Sequence, residues 1–456
     1  MSNPFREIDR HQPMTLPGDL AGWRDGNDLA RFIGELVEVL DTREIEDASC
    51  GGGSAPYPPK MRRALWVYCD AKGIFSRRQI ERAPSERIPV RYLTGGTPPD
   101  PDRINTFRQR FLPPFEALLV RVWGMAHELG VLKRGEVSLE GAKIDANART
   151  HHALSGGDAE RLEQPLKAAV QTLLERAAAV SAPGAVERDL PAELKRREDR
   201  RAKMAEVNIE IERRAPERYG RERAEYEAQP AERAAQERAR GRKWGGKTPR
   251  EPVPGPRPAA QVTFTDGDAR IMPGSGGGFE HASNAPATVP MGSLLIIGAH
   301  VTPQGNDKQE RAPALAELAK RPETWGAVER MAAANGSCSQ HHVEIVVHNG
   351  SEPLIAVGRQ SHHETLAARW APVPDAPHNP DAVTAMTPRL KTPEGQACYA
   401  KRKTPSEPGL GIIKEVMGFR RFWRRGLDQV KGEWRLVCLA FNLKRLGVLH
   451  QGVTAS

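Results

Sequence analysis

The feature that most constrains this fold is a strongly charged segment in the middle of the chain. Residues 187–250 hold 19 basic and 14 acidic side chains and few aliphatic ones. Such a segment cannot supply a hydrophobic core, so its composition predicts a solvated helix or a helical hairpin. The proline-rich run at 251–258 cannot continue a helix and predicts an extended linker. Patterns typical of strands and helices lie on both sides, which indicates an α/β domain interrupted by a helical excursion.

Length, charge and cysteine content narrow the class of protein. The chain has 456 residues, which suits two or three domains, and a net charge of +9 with an isoelectric point near 9.4. This balance fits a polyanionic partner but leaves ribosomal, nucleic-acid and membrane-surface functions open. The five cysteines form no CxxC pair, which disfavours a disulfide framework or zinc ribbon and indicates a reducing cytoplasm. No window approaches the ~18 apolar residues of a membrane span, so no membrane partner is expected.

Residues 57–132 are expected to form a small helical domain with a basic face. Apolar side chains recur there with the period of a helix, at Met61, Ala64, Leu65 and Tyr68. Gly73 then breaks the pattern, and Ser76 is a candidate N-cap for the next helix. Two interpretations stay open: a plain bundle with solvated arginines, and a helix-turn-helix-like DNA-docking module. The spacing does not name the helix that would read a groove.

The rest of the chain has a mixed pattern. Residues 137–147 alternate in the manner of a strand and carry Glu140 in the middle. Further strands are predicted at three short apolar runs, 294–297, 343–347 and 354–357. Helices are predicted after Lys308, after Pro408 and from 434 to 446, and residues 274–278 are expected to form a hairpin loop. Strands and helices in this order predict a mixed α/β domain.

Two motifs with chemical associations are rejected. Residues 241–248 satisfy the phosphate-loop pattern GxxxxGK[ST] letter for letter. That loop works between a buried strand and a helix, whereas here a charged segment precedes it and a proline run follows, so nucleotide binding is not expected. The histidine pairs at 151–152, 341–342 and 362–363 lack the ligand spacing of a zinc site and are expected to be solvated.

Carboxylates are stronger candidates, because two-metal phosphoryl chemistry needs acids that converge on Mg²⁺ from distant positions in the chain. Glu140 in a strand and Glu407 at the start of a helix can converge in this way. The competing interpretation of a lone strand carboxylate is surface decoration.

The C-terminal region adds a basic surface. Residues 414–445 hold nine basic and three acidic side chains. Three aromatic residues, Phe419, Phe422 and Trp423, follow the spacing of a helix and are expected in the core. That leaves four arginines to face a phosphate backbone: Arg420, Arg421, Arg424 and Arg425.

Several stretches between Tyr57 and Leu446 resemble the DDE transposases of bacterial insertion sequences. They are residues 57–61, 73–76, 80–83, 139–147, 270–272, 306–309, 356–360 and 399–425. The resemblance implies cleavage and strand transfer of double-stranded DNA with Mg²⁺ or Mn²⁺, at the inverted repeats of an element and in target DNA. It also implies a homodimer on paired ends, associated with the nucleoid.

The resemblance implies a domain plan as well. An N-terminal extension would cover residues 1–56, and an all-α DNA-binding domain would cover 57–132. A ribonuclease H-like mixed sheet would follow at 133–450, interrupted at about 150–260 by the charged helical insertion and linker.

The departures from the family pattern fall on the catalytic positions. Glu140 stands where the family has the aspartate of a Leu-Asp-Gly motif, and Ala334 stands where it has the second aspartate. The final glutamate remains as Glu407, and Tyr399, Arg402 and Lys414 of the accompanying signature remain with it. The resemblance therefore implies Glu140 and Glu407 as metal ligands. The residues expected to bind DNA are Lys143, Tyr399, Arg402, Lys414, Arg420, Arg421, Arg424 and Arg425.

These departures predict an impaired transposase. Each carboxylate supplies charge and a ligand oxygen to a cation that demands near-octahedral geometry, and Ala334 can coordinate nothing. The alternative is an inactive or domesticated sequence-specific DNA-binding protein derived from a transposase. A general nucleic-acid-binding structural protein is disfavoured, because Glu407 and Lys414 sit within a specific signature.

Overall fold

The computed structural model divides the chain into two compact units, residues 1–118 with 439–456 and residues 119–438. The structure describes residues 19–20, 22, 28–39, 57–100, 113–133, 135–148, 153–179, 190–240, 250–263, 265–274, 278–305, 310–333, 340–355, 385–402 and 408–454. The phosphate-loop-like residues 241–248 and the histidine pairs at 151–152 and 362–363 lie outside these ranges, as do the side chains of the pair at 341–342.

The first unit is helical in its described residues. Its helices are α1 (Leu29–Glu38), α2 (Pro59–Ala71), α3 (Arg77–Glu86) and α4 (Ile88–Thr94), followed along the chain by α5 (Pro113–Glu128). Helix α1 falls within the expected N-terminal extension and packs against α2 and α4. Ser76 occupies the N-cap position of α3, as the sequence predicts.

The second unit contains a five-stranded sheet in the order β10-β9-β1-β7-β8. Its strands are β1 (Glu136–Glu140), β7 (Ala287–Pro290), β8 (Gly298–Ala299), β9 (Arg330–Ala333) and β10 (Glu352–Ile355). Strand β1 lies in the middle, antiparallel to β7 and parallel to β9, and β9 is in turn parallel to β10. The central residues of β1 are buried without alternation, which is typical of a strand covered on both faces. The mixed α/β prediction is confirmed.

The second unit also contains two smaller sheets. Strand β2 (Lys143–Asp145) pairs with β6 (Phe279–Asn284), and β6 pairs with β5 (Arg270–Pro273). The amide of Gly274 donates to the carbonyl of Gly278 over 2.7 Å, which confirms the hairpin loop. Strands β3 (Ala153–Ser155) and β4 (Gln261–Thr263) form a two-stranded sheet.

Most of the charged segment forms one long helix, which pairs with the preceding helix as a hairpin. Helices α6 (Gly156–Ala179) and α7 (Leu190–Arg240) pack together between β3 and β4. Most of α7 is exposed and carries i,i+4 ion pairs such as Arg218–Glu222 at 2.8 Å. A short apolar stripe, Val207 and Ile211, packs on Val262 of β4. Residues 251–258 form neither helix nor strand, as expected of the linker.

The strand predicted at 294–297 is wrong. Leu295, Ile296 and Ile297 are buried and Leu294 is half-buried, but the strand begins only at Gly298. Leu294 has a φ of 63°, a left-handed conformation that a regular strand does not adopt. The carbonyl of Ile296 accepts a bond from the indole nitrogen of Trp123 at 2.7 Å.

The strand predicted at 343–347 is also wrong, because these residues lie in helix α9 (Gln340–His348). Val343 and Val346 are buried at a helical spacing of three, and a short apolar run does not distinguish the two structures. Strand β10 occupies 352–355, close to the predicted 354–357. Helix α8 (Arg311–Ala319) and α12 (Leu427–Thr454) confirm the helices predicted after Lys308 and at 434–446.

Within the described ranges, no helix has the length and apolar character needed to cross a membrane. The described cysteines, Cys69, Cys398 and Cys438, are free thiols buried in the protein. Burial raises the pKa of the Cys398 thiol to about 11, so it stays protonated at neutral pH.

Candidate active site and nucleic-acid interface

Glu140 is the last residue of the central strand β1. The parallel neighbour β9 ends at Ala333, which pairs in register with Leu139. Two parallel strands that end together present the residues that follow them at one edge of the sheet. Ala334 comes next along the chain after Ala333, but it and Glu407 lie outside the described residues.

A tight helix junction places the next part of the site. Helix α10 (Met386–Lys391) is followed at once by α11 (Pro393–Lys401). Thr392 caps α11 by accepting the amide of Gly395 at 3.0 Å, and Pro393 takes the first helical position. A Cβ on Gly395 would lie 2.1 Å from the carbonyl oxygen of Arg389, so only glycine fits this close approach. The junction fixes the start of α11, which carries Tyr399 in its last turn and Arg402 at its C-cap.

The structure brings together Glu140, Tyr399 and Arg402. The Nη1 of Arg402 donates to Oε1 of Glu140, and these side chains are 9% and 16% exposed. The guanidinium carbon of Arg402 lies 5.3 Å from the centre of the Tyr399 ring, within cation–π range. Burial raises the pKa of Tyr399, while the charge of Arg402 opposes this rise and that of Glu140 adds to it. The Tyr399 phenol is therefore protonated at neutral pH.

These residues do not fit the expected metal centre. One oxygen of Glu140 is already bonded to a guanidinium, and Ala334 has no ligand atom to offer. In the part of the chain that the structure describes, no group of three or more His, Cys, Asp and Glu side chains gathers as metal ligands would.

Lys414 lies in a second group, beside β2. Residues 408–411 are helical, as predicted after Pro408, and continue into a π-helical turn at Ile412–Val416. From this turn the Nζ of Lys414 donates to the carbonyl of Lys143 at 3.0 Å. Burial lowers the pKa of Lys414, and the charges of Asp145 and Glu415 oppose that change.

Sequence reasoning missed a pair of carboxyls beside Lys414. Burial raises the pKa of Asp145, and its hydrogen bond with Glu280 and the charge of that group raise it further. Arg421 and Lys414 act in the opposite direction. No sequence signal links Asp145 to Glu280, because the register of β2 against β6 brings them together.

The arginine loop, residues 418–427, carries four of the eight residues predicted to bind DNA. Phe419 and Phe422 are buried edge to face with their rings 5.5 Å apart, and they anchor the loop to the core. Arg420, Arg421 and Arg425 are exposed, and Arg424 is half-buried. Arg420 is ion-paired with Glu415. The prediction that Trp423 belongs to the core is wrong: it is 51% exposed, because the helical spacing that would bury it is absent from this loop.

Three carboxylates hold the backbone of the arginine loop. The fully buried Glu433 accepts the amides of Trp423 and Arg424, both at 3.0 Å. Asp266 accepts the amide of Gly426 at 3.2 Å, and Asp268 accepts that of Leu427 at 2.8 Å. Burial raises the pKa of Asp266, against the effect of the amides that bond to it. No sequence pattern pointed to Asp266, Asp268 or Glu433 as anchors of this loop.

The loop is also joined to the residue after β2. The side-chain amide of Asn147 donates to the carbonyl of Trp423 at 2.8 Å, and Nε of Arg425 donates to the carbonyl of Asn147 at 3.1 Å. The amide of Phe422 donates to the carbonyl of Asp145 at 2.8 Å. The arginines are thus presented from a backbone fixed on several sides.

Two regions of the chain match models of known protein families. Residues 376–447, which carry Tyr399, Arg402, Lys414 and the arginine loop, match a model described as a transposase DDE domain. Residues 19–110, which include α1 to α4, match a model described as a transposase domain (DUF772). No curated protein matches the chain, and no solved structure does. These two matched regions support an insertion-sequence DDE transposase.

Proposed function

We propose that this chain is a DDE-type DNA transposase by descent, which binds the ends of its element and cleaves DNA poorly or not at all. Its family acts in DNA transposition. The observation that carries the proposal is the ion pair between Glu140 and Arg402 at the end of β1.

The sheet topology supports a ribonuclease H-like catalytic domain. On one side of the central strand β1 lies the antiparallel β7, followed by β8, which is antiparallel to β7 and therefore parallel to β1. On the other side lie β9 and β10, both parallel to β1. Along the chain, the charged hairpin of α6 and α7 is inserted between β1 and β7, yet these two strands remain neighbours in the sheet. The helices at 57–94 support an all-α DNA-binding domain ahead of it.

The loss of cleavage follows from charge and ligand count. DDE enzymes use divalent metal ions, here Mg²⁺ or Mn²⁺, to activate the attacking group and stabilise the leaving oxygen. Glu140 and Glu407 would be the remaining ligands, and Arg402 neutralises Glu140 with a guanidinium. The loss of a metal ligand at Ala334 is expected to slow cleavage by several powers of ten. Each power of ten in rate corresponds to about 1.4 kcal/mol of activation free energy.

The DNA-binding half of the proposal rests on the arginine loop. Arg420, Arg421, Arg424 and Arg425 project from a backbone fixed by carboxylates, so less conformational entropy is lost when they meet phosphates. Lys143, Tyr399, Arg402 and Lys414 lie along the adjoining strand and helix ends. We expect Arg421→Ala to reduce the slope of log affinity against log salt by about 0.9, as loss of one phosphate contact does. Arg213→Ala, an exposed arginine of α7 paired with Glu210, is the control and should leave the slope unchanged.

The experiment is cleavage of a labelled duplex that carries the inverted repeat flanking the gene, with Mg²⁺ or Mn²⁺. The natural chain is compared with Ala334→Asp, and with Ala334→Asp combined with Glu140→Asp. Binding without cleavage in the natural chain, and cleavage by the restored variants, is the expected result. Cleavage by the natural chain that Glu407→Ala abolishes would overturn the proposed loss of catalysis.

A second candidate function is an inactive or domesticated sequence-specific DNA-binding protein. The well-anchored arginine loop favours it, since this surface needs no metal chemistry to act. The two candidates differ in whether any activity depends on a divalent metal and on Glu407. In both, the partner is double-stranded DNA at the nucleoid, bound by a homodimer on paired ends.

A further inference from the structure

We infer that helix α3 (Arg77–Glu86) is the element that reads base pairs in the major groove of the recognised DNA. This inference rests on the proposed binding of element ends and adds the helix and side chains responsible. It follows from the distribution of burial and charge over the helices of the first unit.

The face of α3 opposite its buried side is made of groups that recognise bases. Ile80, Ala83 and Pro84 are buried and hold the helix to the unit. Arg78, Arg82 and Ser85 lie on the opposite side at spacings of four and three, and all are exposed, as is the adjacent Gln79. Arginine bonds guanine and glutamine bonds adenine through their major-groove edges.

The turn before α3 is built to present its first residues. Gly73 has a φ of 73°, and the amides of Gly73 and Ile74 donate to the carbonyls of Asp70 at 3.1 Å and Cys69 at 2.8 Å. These two hydrogen bonds form a Schellman motif, which ends α2. Ile74 and Phe75 are buried, so the start of α3 is anchored to the body of the unit. Two helices joined through such a turn are the plan of a helix-turn-helix module, whose second helix places its N-terminal residues on base edges.

The other described helices between residues 28 and 94 suit this role less well. Helix α2 is buried from Arg63 to Ala71. Helix α1 has one basic and two acidic side chains, whereas α3 has three basic and two acidic ones, so α1 is the less favourable partner for phosphates. In α4, the guanidinium of Arg91 is bonded to the carbonyls of Pro84 at 3.0 Å and Ser85 at 3.1 Å. That contact ties α4 to the end of α3.

Charge complementarity names DNA as the occupant. Residues 57–94 contain nine basic and three acidic side chains, and one of each, Arg63 and Asp70, is buried. The exposed charge of this segment is therefore strongly positive around α3, as a polyanion requires.

The test selects binding sites for the full chain from a pool of random-sequence duplexes. The natural protein is compared with Arg78→Ala, Gln79→Ala and Arg82→Ala, which replace exposed helical residues with a good helix former. Arg31→Ala is the matched control, because it removes one positive charge from an exposed ion pair with Glu35 on α1. We expect each α3 variant to lose the preference at one or two base pairs. Affinity for the selected duplex should fall about tenfold or more, and affinity for a scrambled duplex should fall no more than in the control.

The outcomes separate this inference from the proposed function. If the α3 variants select the motif of the natural chain with unchanged affinity, α3 does not read bases, although end binding stands. If the natural chain binds duplexes without selecting a motif, both the inference and the proposed end recognition fail.

Discussion

The end of strand β1 and the arginine loop use carboxylates in opposite ways. At the strand end, Glu140 is bonded to the guanidinium of Arg402, and sequence places Ala334 where the family has a second acid. In the loop, Glu433, Asp266 and Asp268 accept backbone amides and fix the arginine-bearing chain. The acids that anchor the arginine loop bond to backbone amides, whereas the acid at the strand end is paired with a guanidinium.

The metal centre and the DNA-binding loop of a transposase therefore differ in how well they tolerate substitutions. A metal centre needs every ligand, because each one is part of the chemistry. A binding loop depends on backbone bonds and buried rings, which a change at Ala334 or Glu140 does not reach. The grip on DNA is therefore expected to outlast the cleavage.

The largest effect is expected for Glu433→Ala. This change leaves the amides of Trp423 and Arg424 without their carboxylate in a buried site, so the free energy of unfolding should fall by about 3 to 5 kcal/mol. Urea unfolding measures it. Glu415→Gln, which removes only the exposed partner of Arg420, should change stability by less than about 0.5 kcal/mol. Equal effects of the two changes would mean that Glu433 does not hold the loop.

A smaller effect is expected at the strand end. Arg402→Met keeps the volume but leaves the largely buried Glu140 without the guanidinium, which should cost about 2 kcal/mol. Adding Glu140→Gln removes the uncompensated charge and should recover about half of that loss. A double-mutant cycle by urea unfolding measures the coupling. Purely additive effects would show that the pair is not a coupled unit.

The smallest effect concerns Asp145. Its raised pKa means that the folded state holds this proton more tightly than the unfolded state does. The resulting stability is present below the ordinary pKa of an aspartate and is lost as the pH rises through the raised value. Asp145→Asn should therefore gain stability relative to the natural chain between pH 4 and pH 7, by less than about 1 kcal/mol because the pair is partly exposed. Thermal midpoints across this range measure it, and a difference that shrinks with pH would contradict the assignment.

Sequence patterns correctly predicted the elements that depend mainly on neighbouring residues in the chain. The charge of residues 187–250 predicted the long helix α7, and Gly73 with Ser76 predicted the break before α3. The run at 343–347 failed because its valines fit either period, and only packing in the folded unit selects a helix. The strand predicted at 294–297 was wrong because a short apolar pattern does not predict the backbone conformation of Leu294 or the hydrogen bond between Trp123 and Ile296.

The candidate site divides in the same way. Tyr399 and Arg402 are three residues apart on one helix, so a local motif identified both. The contact of Arg402 with Glu140 spans 262 positions of sequence, and the anchoring of the loop by Asp266 and Glu433 depends on tertiary structure. Such long-range partners need the fold before they can be named.

The most direct test of the central claim is Mn²⁺ binding to the chain on its end duplex, followed by electron paramagnetic resonance and compared with duplex alone. We expect the natural chain to take up no Mn²⁺ beyond the duplex, and the variant with Ala334→Asp combined with Glu140→Asp to take up additional Mn²⁺. Stoichiometric Mn²⁺ uptake by the natural chain that disappears in Glu407→Ala would contradict it, because the cation site would then be intact despite Ala334.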